Sequence, residues 1–205
     1  MTSFFDLQLF LSVFVTLMVI MNPPGAVPIF LGLTAALTHR QRDVAARRAA
    51  LVALGVIAAF AVFGQQILTY LHISLAALQG AGGLLLLLVA LQLLMGQESG
   101  VSSDAGVNVA MVPLGTPILA GPGAIVATML AVREANGLGG FLAVTVGLFS
   151  AIFIVWIFLR FAGQVHRVLK DSGTMLVTRI AGLLLSAIAV QMIANSVRAF
   201  VSTGS

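Results

Sequence analysis

The chain has 205 residues, 60% of them hydrophobic and 8% charged, with a formal net charge of +4 and no cysteine, and its mean hydropathy is +1.13. A soluble domain carries about 25% charged residues, so this composition excludes an ordinary water-soluble fold and points to lipid as the solvent. The positive balance does not argue for nucleic acid, because the basic residues lie between apolar runs, where membrane topology accounts for them; without cysteine, disulfide and thiolate chemistry are excluded too.

A membrane-crossing helix takes roughly 20 apolar residues, and that rule marks six segments in chain order. The first, about Leu7–Leu37, would be ~45 Å long if straight, more than one crossing needs, and Asn22-Pro23-Pro24-Gly25 interrupts it. It lacks a basic leader and exceeds a signal-peptide core, so a retained first span is expected. A basic loop follows with His39, Arg40, Arg42, Asp43, Arg47 and Arg48, then a second span over about Ala49–Thr69 and a turn through His72. The third span covers about Leu75–Met95, and the polar loop Gly96–Gly106 carries Glu98 and Asp104. The fourth, about Val107–Val132, contains Pro113, Pro117 and a second interruption at Gly121-Pro122-Gly123. A turn with Arg133, Glu134 and Asn136 leads to the fifth span, about Leu138–Phe161. A second basic loop with His166, Arg167, Lys170 and Asp171 precedes the sixth, about Ile180–Phe200. No polar linker divides the chain, so residues 1–205 are read as one transmembrane domain.

Charge and repetition fix the expected topology. Arg40, Arg42, Arg47, Arg48, Arg160, Arg167, Lys170 and Arg179 fall on one side of the six spans, and only Arg133 and Arg198 on the other. By the positive-inside rule the first group is cytoplasmic and both termini are not; the expected location is the plasma (inner) membrane. A shift of 98 residues lays Pro24-Gly25-Ala26 on Pro122-Gly123-Ala124, and Phe60 and Phe63 on Phe158 and Phe161. A shift of 99 lays Gly83 through Gln92 on Gly182 through Gln191 with six of ten pairs identical. Copies of three spans each must lie in opposite orientations. The expected fold is therefore all-α, a 3+3 inverted repeat over about 7–95 and 107–202 with helices 1 and 4 broken at Pro/Gly motifs, an architecture of alternating-access transporters.

The breaks carry the chemistry. Proline removes a backbone donor, so Pro23 and Pro24 strand the carbonyls of Val19 and Ile20. Irregular backbone at membrane depth survives where it is buried in protein or lines a wet cavity. Helices starting near Gly25 and Gly123 offer N–H groups to a carboxylate, and released carbonyls, with that of Ile118, offer acceptors to an ammonium group. Both together suit a zwitterion. Asn22, Pro23, Pro24, Gly25, Gly121, Pro122 and Gly123 are thus the expected binding residues, joined by Gln92, Gln191 and Asn195 as polar groups within spans; for the glutamines, interhelical hydrogen bonding is an equal alternative. Thr34, Thr116 and Thr128 are expected to bond their own backbone or a neighbour, which is also the alternative for Asn195.

The acids sit in or beside loops, so a mid-span proton relay is not expected. His39, His72 and His166 have neither metal-ligand nor triad spacing and are expected in loops, so no enzyme, metal or cofactor is expected. Oligomeric state stays open, because small-residue faces such as Gly55/Ala59 can pack within one chain or between chains.

The runs Asn22-Pro23-Pro24-Gly25-Ala26-Val27-Pro28, Val112-Pro113-Leu114-Gly115-Thr116-Pro117 through Ala120-Gly121-Pro122-Gly123, and Arg179-Ile180-Ala181-Gly182-Leu183 through Gln191 and Asn195 resemble the MarC family of small six-span membrane proteins. Many of its members carry an aspartate where Asn22 stands here. The resemblance implies transport of neutral amino acids, in a lipid bilayer and with no nucleic-acid partner. The expected function is a secondary transporter for small neutral amino acids; an ion or solute channel and a non-transporting assembly protein are the alternatives.

Overall fold

The computed structural model describes residues 5–95 and 119–203, and every regular element among them is an α-helix. Helix α1 (Leu7–Met21) starts under Asp6, whose carboxylate accepts the Leu9 N–H at 2.9 Å. A single residue, Asn22, separates it from α2 (Pro23–Leu33). Then come α3 (His39–Tyr70), α4 (Leu75–Met95), α5 (Pro122–Glu134), α6 (Gly137–Arg160) and α7 (Ala162–Thr203). Five stretches are long and apolar enough to cross a membrane: Leu7–Leu33, His39–Tyr70, Leu75–Met95, Gly137–Arg160 and Ser172–Ser202. The first part of the expected fourth span, 107–118, with Pro113, Thr116, Pro117 and the Ile118 carbonyl, lies outside the described residues, as do Glu98 and Asp104.

Two expected basic loops are helical instead. Thr38 and Gln41 form a capping box, in which the Gln41 N–H donates to the Thr38 hydroxyl and the Thr38 N–H to Gln41 Oε1 at 2.9 Å, and α3 begins at His39. Arginine is a good helix former, so His39–Arg48 adds turns to α3 rather than breaking it. His166 and Arg167 likewise lie on α7. The discontinuity there is at Lys170, with φ 54° and ψ −179°, a region that nearly only glycine adopts.

The helix ends sort into two groups. At one end Arg160 of α6 pairs with Asp43 of α3 at 2.9 Å, and Arg42 donates to the Thr34 carbonyl just beyond α2 at 3.1 Å. At the other, the Asp6 N–H meets the Gly139 carbonyl at 3.5 Å, and Ser196 of α7 donates to the Ala76 carbonyl of α4 at 2.7 Å. The basic residues of α3 and α6 share the first end; Arg133, closing α5, belongs to the second.

α4 and α7 run antiparallel and closely packed. A Cβ on Gly83 would meet the Ala189 carbonyl oxygen at 2.9 Å, and one on Gly182 would meet the Ala90 carbonyl oxygen at 3.1 Å. Small residues let backbones approach where lipid gives helices no hydrophobic drive to associate. These contacts are reciprocal: the shift of 99 residues that lays Gly83 on Gly182 also lays Ala90 on Ala189. By contrast Gly55 has nothing within 4 Å of its Cβ position, and it and Ala59 are exposed, so that face does not pack within the chain.

One core cluster unites α1, α2, α3, α5 and α6, with Leu17, Val27, Ala53, Ile57, Ala124, Ala151 and Val155 at its centre. A second lies among α4, α5 and α7, around Leu86, Val126 and Leu185. Large apolar side chains such as Phe63, Leu84, Phe149 and Leu183 cover the outside, as a lipid-facing surface requires.

Two stability outcomes follow. Gly83→Val, which overpacks against backbone at a cost of roughly 1–3 kcal/mol, should lower the thermal midpoint of the detergent-solubilised protein, while Gly55→Val should not. Lys170→Gly removes a backbone conformation costing roughly 1–3 kcal/mol for a side-chain-bearing residue; the midpoint should rise, and an unchanged or lower value would contradict a strained Lys170.

Candidate functional site

Asn22 is the hinge of the first interruption. It adopts the left-handed conformation (φ 39°, ψ 65°), which asparagine tolerates better than most residues. Its N–H donates to the Met18 carbonyl at 3.1 Å, and its own carbonyl accepts from Ala26 at 3.0 Å. Its side-chain oxygen accepts the Gly25 N–H at 3.4 Å. The expectation of free N–H groups at this helix start is therefore corrected: Pro23 and Pro24 have none, and Asn22 occupies that of Gly25. The Val19 and Ile20 carbonyls still lack the donors that the prolines removed. Pro23 is fully buried, Pro24 and Gly25 partly so, and Asn22 is 7% exposed.

Gly25 is glycine for a spatial reason. A Cβ there would overlap the Asn22 amide and come within 2.9 Å of the Thr178 hydroxyl oxygen. Thr178, on α7, is the polar neighbour that the sequence did not single out. It lies one residue before the Arg179–Leu183 run, and only the tertiary packing of α2 on α7 brings it to the hinge.

The second interruption is built differently. α5 starts at Pro122 after Gly121, and no side chain caps it; the Ala124 and Ile125 N–H groups both reach the Gly121 carbonyl, at 3.0 and 3.3 Å. Gly123 and Ala124 are buried, Gly121 is partly exposed and Pro122 exposed. A Gly123 Cβ would overlap the Leu86 side chain of α4. Residues flanking both interruptions, Met21, Ala26, Ala120 and Ala124, belong to the same core cluster. The remaining expected residues do not gather there. Gln92 is exposed on α4; Gln191 is exposed on α7 and donates to Asn195 on the same helix at 2.9 Å. Gln191 stands roughly 20 Å from Thr178 along the axis at 1.5 Å per residue. Thr34 and Thr128 bond the carbonyls of Phe30 and Ala124, at 2.6 and 2.8 Å, as expected. Among the described residues no group of three or more His, Asp or Glu could hold a metal ion.

A cavity of about 110 Å³ opens where the C-terminal ends of α3 and α5 meet the start of α4. Its lining includes Phe60, Gln65, Thr69, Met129, Val132 and Arg133.

Residues 7–201 match the profile of the MarC family integral membrane proteins. The chain belongs to the MarC family. Among its relatives is the UPF0056 membrane protein MJ1677 of Methanocaldococcus jannaschii, 39% identical over 94% of this chain and 98% of that one. YvbG of Bacillus subtilis is 35% identical over 88% and 90%, and YhcE of Escherichia coli 30% over 96% and 95%; both are named UPF0056 membrane proteins. No solved structure matches the chain. The family and the apolar helices make this a multi-pass integral membrane protein.

Within this MarC-family chain the sequence shift sets part of the cavity lining against residues at the opposite helix ends. The shift of 98 residues lays Phe60, Ala61, Met129 and Val132 on Phe158, Leu159, Leu31 and Thr34. On the cavity side, Phe60 is 36% exposed, Ala61 and Val132 are partly exposed and Met129 is buried. On the other, Leu159 is 2% and Thr34 0% exposed, and Leu31 and Phe158 are partly buried against the core cluster. The correspondence stops at the end of α6, which ends at Arg160 while α3 runs on to Tyr70. The more buried side is also the one tied by Asp43–Arg160.

The contact between Gly123 and Leu86 is testable by a double-mutant cycle. Gly123→Ala should destabilise the protein and Leu86→Ala should cost roughly 2–5 kcal/mol. In combination the first loss should largely vanish, giving a coupling of roughly 0.5–3 kcal/mol by reversible unfolding; additive losses would place the two groups apart.

Proposed function

We propose that this MarC-family protein is a secondary transporter for small neutral amino acids or similar zwitterions, working by alternating access. One observation carries the reading: of two positions matched by sequence shift, at opposite ends of the helices, one lines an open cavity and at the other Leu159 and Thr34 are buried. An inverted repeat has two equivalent vestibules, and a carrier exposes one at a time. The reciprocal Gly83–Ala189 and Gly182–Ala90 contacts support a 3+3 inverted repeat, as do α2 packing on α7 and α5 on α4. The two interruptions then correspond to helices 1 and 4, broken near the middle of the bilayer, where discontinuous helices of transporters hold substrate.

At those breaks the Val19 and Ile20 carbonyls are acceptors for an ammonium group, and the start of α5 turns the Gly123 N–H and the positive end of its dipole toward a carboxylate. Asn22, Pro23, Pro24, Gly25, Gly121 and Pro122 shape that place; Gln92, Gln191 and Asn195 act elsewhere on the helices. No covalent chemistry is required. The basic end is assigned to the cytoplasm by the positive-inside rule, which puts the closed vestibule inside, the open one outside, and both termini outside the cytoplasm of the plasma membrane.

The experiment is uptake of labelled alanine, serine and glycine into proteoliposomes of the purified protein. Saturable uptake that Gly25→Val abolishes, with membrane insertion retained, is the expected outcome. Flux that rises without saturation would favour a channel, and a folded protein giving no flux above empty vesicles would end the transport reading.

A further inference from the structure

The open cavity has a sparse and one-sided polar lining, made by Arg133, Gln65 and Thr69 against apolar walls. Gln65 and Thr69 are four residues apart on α3 and therefore neighbours on one face. The Thr69 hydroxyl donates to the Gln65 carbonyl at 2.9 Å, which leaves its oxygen free as an acceptor. Arg133 lies in the last turn of α5. A cation is favoured there by the helix dipole, but that interaction does not use the five N–H donors of a guanidinium. Arg133 makes no salt bridge among the described residues, although Glu134 adjoins it in sequence. Nor does topology explain it, because its end of the molecule has only Arg133 and Arg198 as bases.

We propose that Arg133, Gln65 and Thr69 form a docking site for the carboxylate of a small zwitterionic solute at the mouth of the open vestibule. The guanidinium takes the carboxylate through two parallel N–H bonds, a geometry that lysine does not reproduce. The Gln65 and Thr69 oxygens face the ammonium group, and Phe60 and Met129 meet a short side chain. About 110 Å³ is a fraction of the roughly 300–1,000 Å³ of drug-sized ligand sites, a scale that suits solutes the size of glycine, alanine or serine. The same shift that relates the two vestibules puts Ala35 where Arg133 stands, so this docking serves one face only. Its role as a reception point rests on the transport reading; the binding itself does not.

The test is equilibrium binding of labelled L-alanine to the full-length protein in nonionic detergent, paired with uptake in proteoliposomes. Arg133→Gln should weaken binding roughly tenfold or more, the scale of one charge-assisted hydrogen bond. Arg133→Lys should restore it only in part, Arg198→Gln should leave it unchanged, and alaninamide, which lacks the carboxylate, should not compete. In vesicles Arg133→Gln should raise KM for alanine with the maximal rate retained. Undiminished binding by Arg133→Gln overturns the docking site, and leaves the transport reading intact where wild-type flux is present. Binding that depends on Arg133 without any wild-type flux supports the site and removes transport instead. Occupancy by phosphatidylglycerol that alanine does not displace assigns the guanidinium to lipid phosphate and overturns the proposal.

Discussion

The structure depends on how backbone polar groups are satisfied where no water reaches them. In hydrocarbon each unpaired N–H or C=O costs several kcal/mol, yet Pro23 and Pro24 take two donors out of the middle of a 27-residue apolar stretch. Asn22 makes this tolerable. Its N–H, carbonyl and side-chain oxygen all have partners, so one neutral residue joins the end of α1 to the start of α2. The carbonyls from which the prolines withhold a helical donor are those of Val19 and Ile20. An amide achieves this without the ionisation penalty that a buried carboxylate would bring.

Around that hinge, packing is decided by the absence of side chains. Gly25 yields its space to Asn22 and Thr178, Gly123 to Leu86, and Gly83 and Gly182 to the facing backbone. Each is a place where one added methyl group meets protein. The exposed Gly55 is not, which separates glycines that set helix spacing from one that does not. The same economy shapes the two ends of the molecule. On the basic side Leu159, Thr34 and Ala162 fill the junction; on the other, α3 and α5 diverge enough to leave a cavity whose walls include a guanidinium.

Much of this was legible in the chain. Apolar runs and basic punctuation locate the helices, and Asn before two prolines marks a helix start. Helix ends were less so, because hydropathy reports depth in lipid: His39–Arg48 is polar and helical at once, since the Thr38–Gln41 capping box starts α3 beyond the apolar run. The placement of Gln92 and Gln191 was hidden for a related reason. Their spans are apolar all round, so periodicity cannot say which way an isolated amide points, and both point outward. Thr178 and the grouping of Arg133 with Gln65 and Thr69 depend on contacts between distant helices, for which no local pattern exists.

The bond from Gly25 N–H to Asn22 Oδ1 is long, at 3.4 Å. An internal amide that holds its own helix start this loosely keeps the Gly25 N–H paired, yet it is the weakest tie at the hinge. In a carrier of the kind proposed above, it is the bond that an arriving solute would exchange first.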